Sequence, residues 1–204
     1  MASNYTENYG LCQWEATDQV LRTDFNGDNA KLEEALSDLE ARVALLDRAV
    51  PNLAYNIYDL SMKDYSSTGY HGYRRALLME DFRTQECVGS LTGGAVVQNG
   101  ALTLTGAGQT GTLTTIGFGI TDVSWTHAIA WMRYKSGGTY SMAVNGVPLT
   151  MTSRWIDRTS DGTDCMEMQL EGAAAGNGTA VITLTLATGA NSNAAIYDFG
   201  VVFL

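Results

Sequence analysis

Eleven residues spaced alternately four and three apart run without a break along the chain: Phe25, Asn29, Leu32, Leu36, Leu39, Val43, Leu46, Val50, Leu53, Ile57 and Leu60. A stripe with that average spacing of 3.5 belongs to a helix whose apolar seam faces copies of itself rather than a globular core. With Phe25 at position d, the a positions are Asn29, Leu36, Val43, Val50 and Ile57, and Leu occupies the remaining d positions. Asn29 is the polar residue of the seam, and asparagine at a fixes register and parallel alignment at a cost in stability. Arg42 at g and Asp47 at e pair between parallel neighbours, whereas Asp28 and Glu33 in the same relation repel. Pro51 removes a backbone donor and crowds the preceding turn, so a kink or a restarted helix is expected there. The seam is roughly 50 Å long at ~1.5 Å per residue.

Beyond about residue 82 the chain changes character. Residues 1–82 hold 14 acidic and 7 basic residues, against 8 and 5 in the remainder, so the net charge of −10 divides as −7 and −3. Gly divides the other way, with 18 of 22 after residue 82, and so does Thr, with 19 of 23. The period there is two. Ala101–Thr105 and Gly111–Ile116 alternate, and Val123–Tyr134 reads as one long strand. Gly137-Gly138 turns into Thr139–Val144, and Asn145-Gly146 is a two-residue hairpin signal leading to Val147–Thr152. Cys165–Leu170, Ala180–Leu186 and Ala194–Leu204 bring the count to about eight strands. The last segment is apolar enough to be a central or inter-subunit strand.

The expected architecture is therefore an N-terminal α-helical coiled-coil stalk followed by an all-β antiparallel sandwich head of jelly-roll type. Residues 1–24 are an N-terminal arm with helical spacing from Trp14 to Leu21, 25–60 the stalk, 61–81 a turn-rich neck and 82–204 the head.

An acidic chain without a basic stripe has no means of displacing counterions from phosphates, which argues against nucleic acid and an anionic membrane surface. Cys12, Cys87 and Cys165 are odd in number, far apart and without metal-ligand spacing, as expected of unpaired thiols assembled in a reducing cytoplasm. The first residues lack the basic start and apolar core of a signal peptide, and no run approaches the ~20 apolar residues of a membrane span. Cytoplasmic synthesis without ordinary secretion is the expectation.

The opening run Asn8-Tyr-Gly-Leu-Cys-Gln-Trp14 through Asp24-Phe-Asn-Gly-Asp-Asn-Ala30 to Leu32 resembles the start of tail-fibre and baseplate-type proteins of phages and prophages from gut Firmicutes. In these a Tyr-Gly-Leu-x-Gln-Trp segment precedes an Asp-Phe-Asn-x-x-Asn-Ala helix start. Cys12 departs from the small polar residue expected at its position. The resemblance implies a homotrimeric fibre in the virion, attached through its N-terminal arm to another virion protein, whose C-terminal head contacts the bacterial surface. Seam chemistry by itself suits a parallel dimer at least as well as a trimer, since Leu at d and Val at a accompany the a-position Asn.

Catalytic signals are sparse. His71 and His127 are the two histidines, neither in a nucleophile motif nor in a metal-binding pair. In the strand reading His127 shares a face with Trp125, Ile129 and Trp131, as a core or interface histidine would. Asp24-Phe-Asn-Gly-Asp28 fails as a calcium loop, because its sixth position is Asn29 and its twelfth Ala35, and serves instead as a helix start. Asp157, Asp161, Asp164 and Glu167 cluster around a turn and read as a solvated hairpin tip, with a cation-bound loop as the sharper alternative. Tyr134, Tyr140 and Trp155 are rings on which the CH face of a sugar can stack, with Trp155 in a polar loop the best placed. Trp155, Tyr134, Tyr140, Asp157, Asp161 and Asp164 are thus the candidate ligand-binding residues. No catalytic, metal or cofactor site is expected.

The functional expectation is a non-enzymatic, homotrimeric receptor-binding protein of tail-fibre type that adheres to a bacterial surface glycan or envelope polymer. A purely structural baseplate or neck component is the alternative. A surface-polysaccharide depolymerase is a further one, needing two head carboxylates ~5–9 Å apart.

Overall fold

The computed structural model describes residues 1–68, 72–74, 77–159, 162–189 and 193–204, with the backbone alone at 63, 65–68, 72–74 and 121–123. The chain forms two compact units, residues 1–53 and 54–204.

In the first unit, β1 (Asn4–Tyr5) and β2 (Cys12–Gln13) pair antiparallel, and α1 (Arg22–Thr68) begins. The helical turn expected over Trp14–Leu21 does not form. Asp18 takes the amides of Ser3 and Glu15, each at 2.9 Å, and the Ser3 hydroxyl at 2.5 Å, so its side chain holds the backbone in turns instead. The arm is clasped to the first turns of the helix. Asp28 accepts from the Cys12 amide at 2.8 Å, Lys31 donates to the Gly10 carbonyl, and Trp14 stacks on Phe25 with ring centroids 5.1 Å apart. Asp28 is thereby occupied as a tether.

α1 starts at Arg22 and runs through Pro51 as one helix to Thr68, rather than restarting at the proline. The heptad residues lie on the surface of the chain throughout. Leu36, Leu39, Leu46, Leu53 and Leu60 are between 56% and 65% exposed, and Asn29 is exposed with them. Phe25 is half covered, by Trp14.

The second unit is an antiparallel β-sandwich. Its strands are β3 (Gly72–Arg74), β4 (Leu77–Glu80), β5 (Val88–Thr92), β6 (Ala95–Gln98), β7 (Ala101–Leu104), β8 (Thr110–Thr115), β9 (Phe118–Trp125) and β10 (Ala128–Tyr134). They continue with β11 (Gly138–Val144), β12 (Val147–Pro148), β13 (Thr150–Arg158), β14 (Asp164–Gly172), β15 (Gly176–Ala180), β16 (Ile182–Thr188) and β17 (Ala195–Phe203). One sheet runs β13-β14-β10-β17-β4-β3, with the β6–β7 hairpin joined to the start of β17. The facing sheet runs β12-β11-β16-β8-β5, and β9 pairs with β15 alone.

The count exceeds the eight strands expected. Short strands such as β5, and the glycine-bearing β15, carry too little apolar alternation to be read from sequence. The closing segment is a central strand, with β10 on one side and β4 and β7 on the other.

Between the sheets lies the main core, with Leu102, Leu113, Trp125, Met132, Leu184 and Phe199 buried in it. The first sheet also has a covered outer face. Ala54, Tyr58 and Met62 of α1 pack there on Met79, Ile129, Trp131 and Val202. With both faces covered, every residue of β10 is buried, which explains why its sequence does not alternate.

Val123–Tyr134 is two strands, not one. The amides of Thr126 and His127 both donate to the Leu204 carbonyl, at 2.7 and 2.9 Å, where the chain passes from β9 to β10. Trp125 therefore belongs to the core between the sheets, while Ile129 and Trp131 face the helix. His127 sits at that corner, partly exposed, with Nε2 3.9 Å from Glu171, instead of sharing a face with the tryptophans.

Candidate functional site

An asparagine followed by glycine closes the β6–β7 hairpin, because a two-residue type I′ turn needs positive φ at both positions. Asn99 and Gly100 have φ of 51° and 68°. Beside them, the chain leaving β4 makes a second sharp turn. Phe82 has φ of 58°, a conformation costly for a bulky residue. The Glu80 carboxylate accepts from the Phe82 amide at 2.6 Å, and Asp81 accepts from the Arg83 amide at 3.1 Å. The Phe82 ring, 6.0 Å from Phe199 and buried, anchors the turn.

These two turns, Thr159 and Thr163 between β13 and β14, and the middle of β17 line an open cavity of about 290 Å³. Asp81 and Asp198 give it two buried carboxylates. Arg83, whose Nε is 3.0 Å from Asp81, and Asn99 stand at one side. Thr159, Thr163 and Tyr197 complete the wall. The two threonines are fixed by their own turn, in which the Thr159 amide donates to the Thr163 carbonyl at 2.9 Å and the Thr163 amide to the Thr159 hydroxyl at 3.1 Å.

Asp198 also belongs to a buried ionic cluster around Arg133. The guanidinium Nε donates to Glu167 at 2.8 Å and to Asp157 at 3.0 Å, Nη2 reaches Asp59 at 3.2 Å, and Nη1 is 3.7 Å from Asp198. Its Cζ lies 5.4 Å from the centre of the Tyr58 ring, and the Tyr58 hydroxyl donates to Asp198 at 2.6 Å. Burial pushes Glu167 up to about 8, with Arg133 opposing and a hydrogen bond to Asp157 reinforcing the shift. Asp198 is pushed up to about 6, again by burial against the pull of Arg133. Asp157 goes the other way: its partial burial is outweighed by hydrogen bonds from Glu167 and the Arg158 backbone and by the Arg133 charge. Burial thus favours the protonated form of Glu167, beside an Asp157 that its neighbours hold in the ionised form.

Comparison with known proteins finds no matching family model and no matching curated protein. Among solved structures, the chain is similar to a CBM35 module from Cellvibrio japonicus Abf62, at 14% identity and a TM-score of 0.39, over 62% of this chain and 92% of that one.

The sequence candidates scatter. Trp155 is on β13, not in a loop, and is half-buried with its ring edge-on to Tyr55 at 5.7 Å. Tyr134 and Tyr140 pack on each other at 4.6 Å between the two sheets, and the Tyr140 hydroxyl donates to the Lys135 carbonyl. Asp157 turns inward to Arg133, whereas Asp164 pairs with exposed Arg158 at 2.8 Å. Glu167 lies buried against Arg133, so the three described carboxylates separate, Asp157 and Glu167 turning to Arg133 and Asp164 to solvent. Asp161 and His71 lie outside the described residues. Among the described residues no group of three or more His, Cys, Asp or Glu side chains could hold a metal ion.

The cavity residues escaped sequence reading, although a signal existed for some. Asn99-Gly100 is the same dipeptide as Asn145-Gly146, whose φ values of 49° and 79° make that hairpin as expected. Arg133 and Asp198 each interrupt an apolar central strand, and a charge there calls for a buried counter-charge.

Proposed function

We propose that the protein is a non-enzymatic, oligomeric receptor-binding protein of phage tail-fibre type. In this reading α1 forms a parallel trimeric coiled coil, the arm clasped to its start attaches to a virion partner, and the jelly-roll-like head meets a bacterial surface glycan. The observation that carries it is the exposed seam. Ten large apolar side chains, from Phe25 to Leu60, stand 39–65% exposed in the single chain at the spacing that coiled-coil partners bury. Burying a Leu or Val side chain is worth roughly 1.5–3 kcal/mol, so a face of this length left in water is unstable without partners. Three heads held together would convert weak single-site contacts into lasting attachment through effective concentration.

Sedimentation equilibrium of the full chain is expected to give three times the monomer mass of 21.9 kDa. A monomer at micromolar concentration overturns the fibre reading. A labelled oligomer should adhere to intact cells of a susceptible bacterium without releasing reducing sugar; release would assign a depolymerase instead.

A further inference from the structure

The cavity between the Asn99-Gly100 turn and Thr159 and Thr163 borders the carboxylate-bearing turn singled out in the sequence, but its described lining contains none of Trp155, Tyr134, Tyr140, Asp157 or Asp164. We infer that it is a pocket for a single neutral or amino hexopyranose, and that it rejects acidic sugars and phosphates. The inference rests on the adhesin reading for where such a sugar is met, and on the cavity itself for the chemistry.

Among the described residues, the lining has no aliphatic side chain. Carboxylates, a guanidinium, an amide, hydroxyls and a phenol belong to its lining residues, a set of donors and acceptors suited to a ring whose every hydroxyl both donates and accepts. Its volume of about 290 Å³ is at the small end of ligand pockets, which run from ~300 to ~1,000 Å³, and so suits one ring rather than a chain of them. Tyr197 brings an aromatic ring to the wall, and the CH face of a pyranose packs on such rings.

Charge sets the class. Among the described lining residues the charged groups are Asp81, Asp198 and Arg83, and the Arg83 guanidinium is already 3.0 Å from Asp81. A uronate or phosphate placed there would meet two carboxylates whose cations, Arg83 for Asp81 and Arg133 for Asp198, are already engaged by them. A bare metal ion fits poorly, since Asp198 is engaged by Tyr58 at 2.6 Å and by Arg133. The two carboxylates are also held in place before any ligand arrives. Asp198 is pinned from behind by Tyr58 and Asp81 by the Arg83 amide. Fixed polar groups lower the ordering cost of binding.

The test is saturation-transfer NMR on the full chain with D-glucose, D-galactose, D-mannose, N-acetyl-D-glucosamine and D-galactosamine, against D-glucuronate and glycerol 3-phosphate. At least one neutral or amino sugar should bind, with the two anions at least tenfold weaker. Asp81→Asn and Asn99→Gly should each weaken that binding at least tenfold. Asn99→Gly keeps the type I′ turn, so it reports on the amide even if Asp81→Asn fails to fold. No binding by any of the neutral or amino sugars, tighter binding of either anion, or full binding by Asn99→Gly overturns the pocket. Cell adhesion by the trimer that survives both substitutions removes the pocket but leaves the adhesin standing. Sugar binding by a chain that proves monomeric does the reverse.

Discussion

Glu167 shows how one buried side chain can set the pH response of a fold. It is fully buried, 2.8 Å from Arg133, and its carboxyl is pushed up to about 8 from an ordinary 4.5. Between those values the folded chain holds a proton that the unfolded chain has released. Stability from this group is therefore complete below pH 4.5, falls as pH rises, and is lost above about 8. Asp198, raised to about 6, acts with the same sign but is spent earlier, so the window from pH 6.5 to 8.5 isolates Glu167. The melting temperature should drop several degrees across that window, given about 2–4 °C per kcal/mol in a chain of this size. Glu167→Gln, neutral at every pH, should flatten the drop. A slope unchanged in the variant refutes this assignment. Removing Arg133 is a different matter, because it would leave Asp157 and Asp198 without their cation in a buried place.

At the scale of the element, α1 carries two stripes on adjacent faces. Ala54, Tyr58 and Met62, four apart, lie against the first sheet, and Gly200 leaves room for the Tyr58 ring: a Cβ there would come within 2.2 Å of it. Leu53, Ile57 and Leu60 belong to the other stripe and stay exposed. The two make separate predictions possible. Leu39→Asp with Leu46→Asp removes two seam layers, costing roughly 3–6 kcal/mol per chain at 1.5–3 kcal/mol per side chain. The variant should run as a monomer. Hydrogen exchange should then lose protection over residues 22–53, while β10, β14 and β17 stay protected. Equal loss in the strands would mean that the head depends on the seam, contrary to its own buried core.

At the scale of the molecule, the two compact units have different sources of stability. Residues 54–204 bury a core of their own between two sheets. Residues 1–53 hold a hairpin and a helix whose large apolar groups are mostly exposed. Association binds the folded helix and not the unfolded one, so it stabilises by mass action. Melting of the full chain should accordingly show one transition that moves up with protein concentration and one that does not. A single transition independent of concentration would mean that no copy covers the seam.

Local pattern sufficed to read the long helix and the antiparallel strands after it. Heptad spacing and two-residue alternation report which face of an element is apolar, and Asn145-Gly146 reports a turn whose geometry its own two residues impose. Which apolar face meets which partner was not written there. Trp125 and Trp131 fell on opposite sides because a corner at Thr126–His127, fixed by the distant Leu204 carbonyl, breaks the strand between them. The cavity was equally hidden. Asp81, Asn99, Thr159 and Asp198 are far apart in the chain, and only strand pairing through β17 and β14 brings them around one space. Sequence carries the periodicities that each residue shares with its near neighbours, whereas a site made by long-range register exists only once the sheets have closed.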